Sequence, residues 1–307
     1  MKKIFTAVIA LLMTVSVSAQ FYIYLSNGEV LKADSISLVA PTTPSDEGIL
    51  SGEFSVSATE KVHFSKGNLQ ATYNGSSWSW SFATNQWDYI GDAAANTAIT
   101  GNGTVSTNGT VDLFGWSTAA TYFGIHNSTD YSIYSGDFVD WGTNAITNGG
   151  NEANAWRTLT KDEWVYLFYT RENAATLFGL GSVNGVNGTI LLPDNWTLPA
   201  GASFTASTTQ GLADQGTYFS NSSGNNFSHN TYTAEQWSVM ESAGAVFLPA
   251  AGYRGGTGVY YVGSYGYYWS ATPFVTNYAY YLDFGSSYLR PQYYGYRSSG
   301  RSVRLVR

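Results

Sequence analysis

Residues 251–307 constrain the fold more than any other stretch. They read AGYRGGTGVYYVGSYGYYWSATPFVTNYAYYLDFGSSYLRPQYYGYRSSGRSVRLVR. Aromatic and β-branched pairs are interrupted every few residues by glycine, serine or asparagine. Glycine is a poor helix former, tyrosine fits a pleated surface, and the small polar residues mark turns. The stretch is therefore predicted to form short strands joined by tight turns, closing on the regular segment Ser302-Val303-Arg304-Leu305-Val306-Arg307. It holds 13 of the chain's 24 tyrosines and 6 of its 14 basic residues, against one acid, Asp283.

What can stabilise such a region follows from a second feature, the absence of cysteine. Disulfides, thiolate metal sites and cysteine nucleophiles are excluded together, so stability rests on core packing and backbone hydrogen bonds. An apolar content of 44%, with 16% aromatic, is ample for a core. Charged residues make up 11%, against roughly 25% in an average soluble domain. The polar surface is therefore predicted to be Ser, Thr, Asn, Gly and Tyr. A net charge of -7 argues against nucleic acid as a partner.

The chain opens MKKIFTAVIALLMTVSVSAQ, with Lys2-Lys3, an apolar run and small residues at 17 and 19. This pattern predicts a secretory signal peptide over 1–19. The apolar run is short for a spanning helix, so no transmembrane segment is expected in the mature chain. Export is expected to leave the protein periplasmic, on the outer surface or extracellular. Residues 20–40 read as a short β-rich segment, FYIYL and EVLKA around the hairpin signal Ser26-Asn27-Gly28. A linker follows at 41–51, PTTPSDEG at its heart, and the main domain is expected over 52–307.

Within that domain, strands are expected at 54–58, 61–65 and 69–73. The alternation of Trp78, Trp80 and Phe82 fits one face of another. The polar insertion 122–150 reads as ordered loops around Trp141. A helix is predicted within 156–171, where Thr160 and Glu163 form a capping box and Trp164, Leu167, Phe168 and Arg171 make one stripe. Thr233 and Gln236 repeat the pattern for a second helix ending before Gly244. Buried strands are expected at 189–192 and 245–252. Two helices among many short strands give an α+β or mostly β domain, not a parallel α/β one.

Chemistry-bearing residues are sparse. His63, His126 and His229 lack ligand spacing, and no serine has a G-x-S-x-G setting. Asp130, Asp137 and Asp140 match no calcium loop, and nothing in the spacing of the acids asks for a paired-carboxylate glycosidase. Glu163 is explained by capping. No catalytic residue, cofactor or metal ligand is therefore expected.

Several phrases, WRTLTKDEWVYLF, VFLPAAGYR, GYYWSATP, AYYLDF and GRSVRLVR, together resemble the major paralogous domain family of secreted proteins from gut Bacteroidetes and Fibrobacter succinogenes. The resemblance covers roughly 54–307. That family is similar in turn to the C-type-lectin-like fold of formylglycine-generating enzymes and of the variable proteins of diversity-generating retroelements. The resemblance implies an α+β, C-type-lectin-like domain with twisted antiparallel sheets and two main helices, after a short β-rich N-terminal segment. It also implies that 54–57 pairs near 302–306. Two departures matter. Formylglycine generation needs cysteines, absent here, and the nearest counterpart to the calcium-lectin triplets is Leu192-Pro193-Asp194-Asn195-Trp196, in the wrong order. By position, the display interval of the variable proteins maps to 271–301.

Tyrosine offers a large rigid contact area with a polar tip, Ser, Gly and Asn adapt around it, and Tyr with Arg is enriched at binding hot spots. On strand parity, Tyr280, Leu282 and Phe284 are expected to face inward with Tyr267 and Trp269, and Tyr281 and Asp283 outward. The expected binding residues are Phe274, Asn277, Tyr278, Tyr281, Tyr288, Arg290, Tyr293, Tyr294, Tyr296 and Arg297. Arg301, Arg304 and Arg307 are expected along a solvated edge of the last strand. The function read from the sequence is non-enzymatic, metal-free recognition of an extracellular protein or glycan by a secreted or surface-displayed protein. Two other readings stand beside it: a structural envelope or pilus-associated subunit, and a carbohydrate-active enzyme.

Overall fold

The computed structural model describes residues 21–24, 30–33, 48–97, 109–119, 123–207 and 227–307. The expected leader, the turn at 26–28, residues 34–40 and most of the linker lie outside them. The chain divides into two compact units, Met1–Thr43 and Pro44–Arg307. In the first, Phe21–Tyr24 and Val30–Ala33 pair antiparallel, Phe21 opposite Ala33 and Tyr24 opposite Val30.

The second unit is a mixed α+β assembly of several sheets, mostly antiparallel. One sheet places Thr231–Tyr232, Phe178–Val183, Val186–Leu191 and Val246–Pro249 side by side, the first pair parallel. Its central hairpin turns on Asn184 and Gly185, with left-handed φ of 50° and 80°. Asn-Gly is the pair a two-residue hairpin favours, because both positions need positive φ. A second sheet sets Leu69–Tyr73 between Trp78–Phe82 and Gly109–Val111. A third is a meander of Gly266–Pro273, Tyr278–Gly285 and Tyr288–Tyr296.

The described helices are α1 (Ala94–Thr97), α2 (Lys161–Val165) and α3 (Ala234–Ser242). Both predicted capping boxes are formed, Thr160 with Glu163 and Thr233 with Gln236. Each satisfies two backbone N–H groups that a helix start leaves without partners. α2 runs into a π-helical turn, Tyr166–Thr170, which keeps Trp164, Leu167 and Phe168 on one buried face. α3 buries Trp237 and Met240 and stops at Gly244, φ 98°.

The C-terminal segment is the centre of the unit, not its edge. On one side His63 and Arg307 exchange both backbone hydrogen bonds, and the Ser65 and Leu69 amides donate to the Leu305 and Val303 carbonyls. On the other, the Ser302 and Trp269 amides donate to the Tyr267 and Ser302 carbonyls, and Leu305 pairs with Thr158. The expected partner of this segment, 54–57, pairs instead with 61–62. The link between the two ends of the unit is made by 63–69.

Threading through the middle corrects the expectation for Arg301 and Arg304. Arg301 and Arg304 are 5% and 1% exposed. The Arg304 guanidinium donates to the side chains of Asn68 and Gln86 and to the Lys66 carbonyl. Arg254, fully buried, donates to the carbonyls of His126, Leu113 and Gly256. Carbonyl and amide oxygens accept the hydrogen bonds of these buried cations and offset part of the cost of burying them. Burial still lowers both, to about 10.

Candidate functional site

The meander decides which of its rings meet solvent. Along the central strand, Tyr278, Tyr280, Leu282 and Phe284 point to one face. Register adds Tyr296, Tyr294 and Leu289 from the third strand and Tyr268 from the first. Half of this face is core, where Tyr268, Leu282, Phe284 and Leu289 join the apolar cluster that contains Trp164 and Phe168. α2 ends the cover at its N-terminus, where the Lys161 amide donates to Thr272 Oγ1 and the Lys161 ammonium lies 5.4 Å from the Tyr280 ring centre. Past that point the face is open.

The open half carries a continuous ladder of rings. Tyr131 stacks on Tyr296 at 5.1 Å, and Tyr296 lies 4.6 Å from Tyr278. Tyr278 meets Tyr294 edge-on at 6.1 Å, Tyr294 stacks on Phe274 at 4.2 Å, and Phe274 meets Tyr280 at 5.1 Å. Phe274, Val275, Tyr296 and Tyr131 are 40%, 50%, 44% and 38% exposed. Asn277, Tyr278, Tyr280 and Tyr294 are half-buried. Tyr280, expected inside, is thus part of the open ladder, because α2 stops short of it.

The opposite face is covered, which overturns the outward assignment of Tyr281 and Asp283. Tyr281 and Trp269 belong to the cluster containing Phe114 and Trp116, and Tyr281 is 4% exposed. Both rings clamp the Arg301 guanidinium, at 4.0 and 4.3 Å. Asp283 accepts two hydrogen bonds from Arg290, the Nε one at 2.8 Å. Burial raises the Asp283 carboxyl, and the guanidinium pulls it back only in part. Arg290 is in turn packed against the rings of Tyr288 and Tyr293, at 4.6 and 3.8 Å. Those three side chains are half-buried. Arg297 is also withdrawn, 5% exposed, stacked 4.2 Å over Trp116 and donating to the carbonyls of Tyr134, Gly136 and Tyr278. A strand sequence divides side chains between two faces, but it does not say that both faces are covered.

Of the ten expected residues, then, Phe274, Asn277, Tyr278, Tyr294 and Tyr296 come together on the open face. Tyr288, Arg290 and Tyr293 form a packed group on the other face, and Tyr281 and Arg297 are core. The sequence reading missed Tyr131, whose approach to Tyr296 spans two distant parts of the chain. It also missed Tyr260 and Tyr261, 49% and 56% exposed at the end of the hairpin Tyr253–Gly255 and Gly258–Tyr260. Here a local signal existed: a tyrosine pair flanked by Gly258 and Gly263.

Asp130, Asp140 and Asp194 are engaged structurally. Asp130 accepts from the Ser132 amide and hydroxyl. Asp140 caps a turn and accepts from the Thr158 amide and hydroxyl. Asp194, in the triplet-like phrase, accepts from Ser55 and from the buried Arg171. Beside it is a polar cavity of about 330 Å³ lined by Lys61, Arg171 and Glu172 among others. Among the described residues no group of three or more His, Asp or Glu side chains could hold a metal ion. Nor, among them, is any helix long and apolar enough to cross a membrane.

Residues 200–306 match a family model described as a domain of unknown function (DUF8237). A search of curated proteins and a search of solved structures returned no match.

Proposed function

We propose that this chain is a secreted or surface-displayed, non-enzymatic binding protein built on a C-type-lectin-like scaffold of the major paralogous domain type. It recognises an extracellular protein or glycan without metal. The observation that carries this reading is the ring ladder from Tyr131 through Tyr296, Tyr278 and Tyr294 to Phe274. It is an aromatic surface left open on one face of the meander. Rigid rings lose little side-chain freedom on binding, and their hydroxyls orient a polar partner. The tyrosine-rich surface and its charged network suit contact better than catalysis. Asp130, next to Tyr131, is already hydrogen-bonded to Ser132.

The test replaces Phe274, Val275 and Tyr296 together with Ser and probes a panel of immobilised glycans and extracellular proteins. The unchanged chain should bind at least one class, and the triple variant should lose that binding while keeping its thermal midpoint within a few degrees. Binding that survives the triple substitution would place recognition elsewhere.

A further inference from the structure

Three phenol rings in the ladder stand in an arrangement with chemical consequences of its own, independent of any binding role. Tyr278 and Tyr296 are direct cross-strand partners, their rings 4.6 Å apart and 32° from parallel. Tyr131 lies on Tyr296 at 5.1 Å and 30°. The three hydroxyls also interact, that of Tyr296 with both neighbours. Tyr131 and Tyr296 are open to solvent, and Tyr278 is half-buried.

We propose that Tyr296 is the hub of an intramolecular oxidative cross-linking site, joining through carbon to Tyr278 or Tyr131 when a haem peroxidase turns over hydrogen peroxide. Each of the two phenols loses one electron and its hydroxyl proton. One peroxide accepts both electrons and both protons and leaves as two waters. The two phenoxyl radicals form a bond between ring carbons ortho to oxygen. The hydrogen on each of those carbons then shifts to its oxygen, restoring both hydroxyls. The product has lost two hydrogen atoms and nothing else.

Geometry makes this pair react in preference to other exposed tyrosines. Rings already held in contact react as if at very high local concentration, whereas separated ones must diffuse together. Interaction with the Tyr278 and Tyr131 hydroxyls lowers the Tyr296 hydroxyl below the ordinary phenol range. A phenol that ionises more readily gives up an electron more readily. Tyr260 and Tyr261 are more exposed than Tyr296 and also touch tyrosine rings, Tyr253 at 5.5 and 6.0 Å and Tyr265 edge-on at 5.1 Å, so they are the competing sites. If exposure alone governed coupling, they would be the sites.

The experiment treats the full-length chain, dilute enough to suppress dimers, with a haem peroxidase and limiting hydrogen peroxide. The expected result is blue dityrosine fluorescence in the monomer, a mass lower by two hydrogen atoms, and a cross-linked peptide containing Tyr296 with Tyr278 or Tyr131. Tyr296→Phe keeps the ring but cannot form the phenoxyl radical, and should lose most of the monomer signal. The double variant Tyr131→Phe/Tyr278→Phe, which keeps Tyr296, should lose it equally. Cross-links mapping to other tyrosine pairs, dimers in place of intramolecular bonds, or an unchanged yield in either variant would overturn the proposal.

Discussion

Tyr281 and Phe274 show what decides a tyrosine-rich surface at the scale of one residue. Both are aromatic residues of the meander, yet one is sealed against Trp269 and Arg301 and the other stands 40% exposed. Tyr281→Ala should therefore cost about 3–5 kcal/mol, the range for deleting a buried ring. Phe274→Ala should cost well under half of that. Urea unfolding of the two variants reads the difference. His126 gives a second residue-level prediction. Burial first, and then the neighbouring Arg254, lower its imidazole to about 4, against an unfolded value near 6.5. The native state thus takes up a proton later than the unfolded one as pH falls. Stability from His126 is full above about pH 6.5 and is lost towards pH 4. Asp112 runs the other way. Burial, offset in part by hydrogen bonds from Asn96 and Ile90, raises its carboxyl to about 6, so its contribution falls as pH rises from about 4 to 6. The ring of His126 lies 4.7 Å from Tyr134, a packing phenylalanine can keep. His126→Phe should gain on the unchanged chain by about 3 kcal/mol between pH 6.5 and 4, as pH-dependent unfolding curves would show.

At the scale of elements, the meander works because one strand comes close enough to let a ring lie flat. Gly266 sits opposite Phe284, and a Cβ there would lie 2.1 Å from the ring. Gly266→Ala should overpack the cluster under α2 and destabilise by about 1–3 kcal/mol. Denaturant midpoints measure that change directly. The same substitution at Gly185, which has open space around it but a φ of 80°, tests strain without overpacking. Both helices start where capping boxes placed them, because that signal is local: the two reciprocal bonds lie within four residues. The strand Phe178–Val183 was not legible in the same way. Its hairpin partner and its Asn-Gly turn were in the sequence, but FGLGSV has two glycines and little alternation.

Taken as a whole molecule, the unit 44–307 is closed by its last residues. Deleting 302–307 would remove the strand paired with 63–69 on one side and with 267–269 on the other, together with Arg304. The shortened chain should lack cooperative unfolding by circular dichroism, whereas an edge strand could be trimmed with a smaller loss. The sequence by itself determined the α+β class, both helix starts, most of the short strands and the position of the tyrosines, since these follow from periodicity, capping and turn chemistry within a few residues. Which tyrosines are open, which arginines are core, and that Tyr131 completes the ladder were decided only by tertiary structure. Burial of a side chain depends on what covers its strand. That cover comes from α2 and from the loops around Phe114 and Trp116, segments far away in the chain whose packing leaves no mark on the strand's own residues.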